Sequence, residues 1–132
     1  MKKIVYALLL FPMIVVGQSI NQNYVKTTNY REAGAANPQS QVTYFDGLGR
    51  PIQQIAQQQS GTGTDMITHI EYDSFGRPVK EYLPYAGHTN DMSFQPDALN
   101  ATLNFSEYTG QSPYSETFFE NSPLNRPHKK GA

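Results

Sequence analysis

At 132 residues, with 38% hydrophobic content and no cysteine, the chain has room for one small domain and no disulfide to hold it. Its charges nearly cancel, to −1, and the basic residues form no run longer than the pairs Lys2-Lys3 and Lys129-Lys130, which excludes an electrostatic footprint for nucleic acid. Gln, Asn, Ser and Thr are frequent and the apolar remainder is rich in Tyr and Phe, so the composition predicts a thin β-rich fold with long loops.

The chain opens with Met1-Lys2-Lys3, an apolar run from Ile4 to Val16, and Val15-Val16-Gly17 ahead of Gln18. This is the three-part pattern of a secretory signal peptide. The apolar run is shorter than the about 20 residues a bilayer-spanning helix needs. Residues 1–17 are expected to be removed, leaving an exported chain, extracellular or at the cell surface, with no membrane span. Residues 18–41 then read as a polar linker holding one candidate strand at Tyr24–Tyr30.

Residues 42–85 contain an internal repeat. Phe45-Asp46-Gly47-Leu48-Gly49-Arg50-Pro51-Ile52 aligns without a gap on Tyr72-Asp73-Ser74-Phe75-Gly76-Arg77-Pro78-Val79. Both copies read aromatic, Asp, small, apolar, Gly, Arg, Pro, β-branched. β-formers precede each copy (Val42-Thr43-Tyr44; Ile67-Thr68-His69-Ile70) and an extended stretch follows it, so each copy predicts a hairpin. Asp at the first turn position accepts bonds from backbone N–H groups ahead of it. Gly49 and Gly76 supply the positive φ of a type I turn entering a bulge. Pro51 and Pro78 force the preceding Arg into an extended conformation and belong on an edge or at a bulge. Asp and Arg, four residues apart across the turn, come within reach of a charge-assisted contact. Leu48 and Phe75 are apolar for a turn and are expected to pack on a neighbouring element. Between the copies, residues 57–65 are a loop by composition.

Residues 86–115 read as a loop with one short helix at about 96–106, opened by Pro96-Asp97. Residues 116–132 hold a degenerate third copy and a truncated tail, unstructured in isolation. Phe119-Glu120-Asn121-Ser122-Pro123-Leu124-Asn125-Arg126-Pro127 keeps the aromatic, the acid, the apolar residue and Arg-Pro. It carries two extra residues, and Asn125 replaces the glycine. Asn is the next best residue for a left-handed position.

Tyr72-Asp73-Ser74-Phe75-Gly76-Arg77 resembles the YD repeat of bacterial RHS proteins. The run Tyr44 to Pro51, with Glu81-Tyr82-Leu83-Pro84-Tyr85 and Phe119 to Arg126, is similar to the domain of unknown function at the front of many large secreted RHS proteins. The resemblance covers about residues 24–130; Phe45 departs from it by standing where Tyr is expected. It implies a β-shell wound from such repeats, enclosing a toxin or other cargo, with further repeats downstream as partners. The self-cleaving core and the cargo of that family have no counterpart in these residues.

No constellation points to catalysis. His69, His88 and His128 share no ligand spacing and no cysteine joins them, so neither a metal nor a cofactor is expected. Asp46 and Asp73 occupy the same place in repeated turns, whereas an acid–base pair needs two different environments. The tyrosines admit a sugar-stacking platform, but fit better as the core of a thin sheet with wet hydroxyls. The expectation is a mainly β fold of antiparallel hairpins with long loops and one short helix, incomplete on its own. It serves as a non-catalytic structural module, with an extracellular carbohydrate-binding module as the alternative.

Overall fold

The computed structural model describes residues 21–34, 37–122 and 124–131. The expected signal peptide, residues 1–17, lies outside them. The described chain forms β1 (Asn23–Asn29), β2 (Gln39–Phe45), β3 (Pro51–Ala56), β4 (Met66–His69), β5 (Lys80–Tyr82), β6 (Tyr85–Ala86), α1 (Ala98–Leu103), β7 (Tyr114–Phe119) and β8 (Pro127–Gly131). All the pairings are antiparallel. A five-stranded sheet runs β1-β2-β3-β4-β6 and a three-stranded sheet runs β5-β7-β8.

Among the described residues the two sheets are joined by the bridge Ile70↔Glu81. Ile67 pairs with Tyr85, so three steps back along β4 correspond to four steps forward from Glu81. β5 and β6 are therefore one arm of the second hairpin, broken by a one-residue bulge at Leu83-Pro84. Pro84 has no N–H to offer the ladder, and the Leu83 amide turns outward to the Pro113 carbonyl at 2.8 Å. Strand follows strand as a meander, with the three repeat turns side by side at one end.

One face of the larger sheet is buried. Period-two alternation turns Ser40, Val42 and Tyr44 of β2, Gln53 and Ile55 of β3, Ile67 of β4 and Tyr85 of β6 inward. The segment after β6 folds over them and supplies Met92, Phe94, Ala98, Ala101 and Phe105. Each fully buried Val, Ile or Tyr contributes at most about 1.5–3 kcal/mol, so the core is small but real. β1 lies beyond the cover; its side chains are nearly all exposed, with Tyr24 resting against Tyr44 at 5.7 Å between ring centres.

Three buried polar side chains pin that cover. The Asp65 carboxylate, fully buried, accepts from the Gln58 amide at 2.9 Å and the Met92 amide at 2.7 Å. The Gln53 amide pairs with the backbone of Gln95 in both directions, at 2.9 Å each way. The Tyr44 hydroxyl donates to the Met92 carbonyl at 2.8 Å. Met92 takes a left-handed φ of 57°, which a long side chain rarely adopts and which these bonds maintain.

Several expectations shift. The strand expected at Tyr24–Tyr30 is β1, and β2 begins at Gln39, inside the stretch read as linker. The helix is shorter than expected, Ala98–Leu103, followed by a 3₁₀ turn at Ser106–Tyr108. In the tail, Pro127–Gly131 forms β8, because the third turn folds and lays it beside β7. Among the described residues no helix is long and apolar enough to cross a membrane.

Candidate functional site

The repeated turns carry the most regular chemistry of the molecule. In the first, the Asp46 amide donates to the Arg50 carbonyl at 2.9 Å and the Gly49 amide to the Asp46 carbonyl at 3.0 Å. The second repeats both bonds, Asp73 to Arg77 at 3.0 Å and Gly76 to Asp73 at 2.9 Å. Gly49 and Gly76 have φ of 76° and 77°, where any Cβ is strained. Pro51 stands opposite Phe45 at a register shift in the β2–β3 ladder, the bulge its missing donor requires.

Each aspartate divides its two oxygens between two jobs. Oδ1 of Asp46 accepts from the Leu48 and Arg50 amides at 2.8 and 2.9 Å, while Oδ2 takes Nε and Nη2 of Arg50, both at 2.8 Å. Asp73 does the same with Phe75, at 2.9 Å, and with Arg77 at 2.9 Å through the amide and 2.8 and 2.7 Å through the guanidinium. The Arg50 and Arg77 amides, against a smaller burial effect and with the guanidinium groups, hold both carboxyls below the ordinary carboxylate range.

The third turn performs these jobs with different residues. The Glu120 amide donates to the Arg126 carbonyl at 2.9 Å, as Asp46 does to Arg50, and the Glu120 carboxylate lies 3.6 Å from Arg126. The cap, however, belongs to Ser122, whose Oγ accepts from the Leu124 amide at 3.2 Å and whose carbonyl accepts from the Asn125 amide at 3.1 Å. The two extra residues thus split the aspartate's roles between an acid and a hydroxyl. Asn125 has a φ of 48°, as expected for the residue in the glycine's place.

Register brings the turns together. Continuing the β3–β4 pairing three residues past Gln53↔His69 sets Arg50 opposite Tyr72; continuing β5–β7 three residues past Lys80↔Glu116 sets Arg77 opposite Phe119. Each guanidinium lies over the ring facing it, 4.5 Å from the centre for Arg50 on Tyr72 and 4.7 Å for Arg77 on Phe119. The same arginines reach the left-handed position of the next turn. Arg77 Nη1 donates to Asn125 Oδ1 at 2.8 Å, and Arg50 Nη1 would lie 3.0 Å from a Cβ added to Gly76. The Tyr72 hydroxyl donates back to the Pro51 carbonyl at 3.0 Å.

The apolar turn residues do not pack as expected. Leu48, Phe75 and Leu124 are 78%, 79% and 66% exposed. The turn projects that position away from the sheet, and the contact between units is made by arginine instead. Phe75 lies beside Arg77 of its own turn, 5.0 Å from ring centre to guanidinium. Sequence reasoning paired Asp with Arg inside each turn but missed the cross-unit stack, whose signal was the fixed spacing of each aromatic and Arg within the repeat.

Away from the turns, His69 packs edge-on against Tyr82 at 5.5 Å, and the Tyr82 hydroxyl donates to Glu71 at 2.8 Å. Burial pushes the His69 imidazole down, with Glu71 opposing weakly, and pushes the Tyr82 phenol up. His88 and His128 are exposed. Among the described residues no three His, Asp or Glu side chains gather as a metal site.

A family model described as a domain of unknown function, DUF6443, matches residues 18–132. No curated protein and no solved structure matches the chain.

Proposed function

We propose that this chain, which belongs to the DUF6443 family over residues 18–132, is a non-catalytic structural module that starts or caps a row of β-hairpins at the front of a secreted or cell-surface RHS-repeat protein. The observation that carries this reading is the arginine-to-aromatic stack made twice at the same register, Arg50 on Tyr72 and Arg77 on Phe119. A contact that recurs with the repeat serves the repeat. The two aspartates support it too: both are saturated by backbone amides and an arginine, and both are shifted the same way, whereas acid–base work needs partners pushed apart. The test is Asp73→Ala and Arg77→Ala, followed by circular dichroism on heating. A structural role predicts loss or marked lowering of the unfolding transition. Unchanged unfolding in both variants would contradict it.

A second reading, an extracellular carbohydrate-binding module, is favoured by one feature. A cleft of about 380 Å³ between the second and third turns is lined by Phe75, Arg77, Phe119, Glu120, Asn121, Ser122 and Asn125. The exposed Phe75 ring beside amide, hydroxyl and carboxylate groups suits the apolar face and hydroxyls of a sugar. Saturable binding on a glycan array, abolished by Phe75→Ala without loss of fold, would support this reading over the first. Folded protein that binds no glycan would end it.

A further inference from the structure

We infer that the outer edge of β8 is the growing edge of the hairpin row, and that it takes a further hairpin of the same type, continuing the chain after residue 132, whose aromatic residue stacks on Arg126. This rests on the structural-module reading and adds a direction and a contact residue to it.

The direction follows from the two contacts present. In both, the arginine belongs to the earlier unit and the aromatic ring to the later one. The row also has a visible beginning. The residue opposite Phe45 across the β1–β2 ladder is Asn23, so no guanidinium faces the first aromatic ring from β1. β1 therefore does not stand in the place an earlier arginine-bearing arm would occupy.

The other end is open in the matching way. Arg126 follows the left-handed Asn125 and precedes Pro127, as Arg50 and Arg77 follow Gly49 and Gly76 and precede proline. Its side chain is 69% exposed against 35% and 24% for the two stacked arginines, and its acid partner stands at 3.6 Å rather than 2.8 and 2.7 Å. No aromatic ring stacks on it among the described residues. Beyond it, β8 pairs among the described residues only with β7, and its other edge offers backbone groups to an incoming strand. A hairpin whose first arm pairs with that edge in the register of the earlier units sets its pre-acidic aromatic opposite Arg126. Lys129 on the same strand favours an acidic residue in the newcomer.

The experiment extends the full chain after residue 132 with a second copy of residues 57–86, in which residues 57–65 turn the chain back as they do between Ala56 and Met66 and Tyr72 falls in the required place. Tethering keeps the effective concentration of the added hairpin high. Hydrogen exchange is followed at the amides of β8 and β1. The inference predicts slowing at His128–Lys130 by tenfold or more relative to the unextended chain, with β1 unchanged. The slowing is lost on Arg126→Ala, or on Tyr72→Ala in the added copy. Arg126→Ala in the unextended chain serves as the folding control, since that side chain is exposed. The inference is overturned by no slowing at β8, by slowing at β1 instead, or by slowing that survives both substitutions. Concentration-dependent protection of β8 in the unextended chain also overturns it, by assigning the edge to a second copy. Loss of fold in Asp73→Ala and Arg77→Ala bears only on the structural-module reading, so the two failures are distinguishable.

Discussion

Arg77 lies opposite Phe119 across the β5–β7 pair, its guanidinium 4.7 Å from the ring centre, although 42 positions separate the two in sequence. The same side chain also closes its own turn on Asp73 at 2.7 Å and donates to Asn125 of the next turn at 2.8 Å. One residue thus fixes the shape of one hairpin and the placement of the following one. A planar, delocalised cation with several donors can do both; a point charge cannot.

Arg77→Lys is therefore expected to destabilise the fold by about 1 kcal/mol, because lysine keeps the charge but loses the stacking and the fork of donors. The same change at Arg126, which is exposed and has no ring over it among the described residues, should cost no more than about 0.5 kcal/mol. Urea unfolding followed by far-ultraviolet circular dichroism measures both. Equal losses would show that stacking contributes nothing.

The glycines should separate in the same way. Gly49→Ala and Gly76→Ala both place a Cβ at positive φ, a cost of about 1–2 kcal/mol. At Gly49 nothing lies within 4 Å of the new Cβ, whereas at Gly76 it meets Nη1 of Arg50 at 3.0 Å. Gly76→Ala is thus expected to lower the thermal midpoint more than Gly49→Ala, and Arg50→Ala should shrink that difference. Midpoints that do not differ would remove the Arg50–Gly76 contact from the account.

Acid should weaken the fold in two stages. Burial depresses the folded pKa of His69, so its share of stability is complete above the free imidazole value of about 6.5 and is lost as pH falls from there through the folded value. Amide and guanidinium donors depress Asp46 and Asp73, so their share is complete above about 3.9 and is lost as pH falls through the folded values. Urea midpoints against pH should show both stages. His69→Gln should remove the upper one; Asp46→Asn with Asp73→Asn should flatten the lower one. A profile unaltered by these substitutions would refute the assignment.

Asp65→Ala should be among the most damaging changes. It strands the Gln58 and Met92 amides, which that carboxylate accepts at 2.9 and 2.7 Å inside the fold. Each stranded buried donor costs about 1–3 kcal/mol. Hydrogen exchange across residues 87–105 should accelerate more than exchange in β7–β8, because the cover is released first. Uniform acceleration would show that Asp65 does not act through the cover.

The turns were legible in the sequence because Asp, Gly and Pro each answer a local backbone demand. Asn125 was legible as a glycine substitute for the same reason. The division of labour between Glu120 and Ser122 was not, since two extra residues change which side chain reaches which amide. The exposure of Leu48 and Phe75 also escaped the sequence: hydrophobic character says that a residue gains from burial, not that anything lies beside it. β8 was hidden because Lys129-Lys130 reads as a solvated tail until the third turn lays it along β7. Asp65 and Gln53 are ordinary loop and strand residues by type, and only the folded cover makes them buried anchors.

The stack between successive units is measured most directly by a double-mutant cycle on Arg77 and Phe119. Arg77→Ala, Phe119→Leu and the double variant are compared with the parent chain by urea unfolding. The expected coupling is about 0.5–1 kcal/mol, the size of a partly exposed cation–aromatic contact. Losses that add to within about 0.3 kcal/mol would mean that the two residues stabilise their own hairpins independently, and would contradict it.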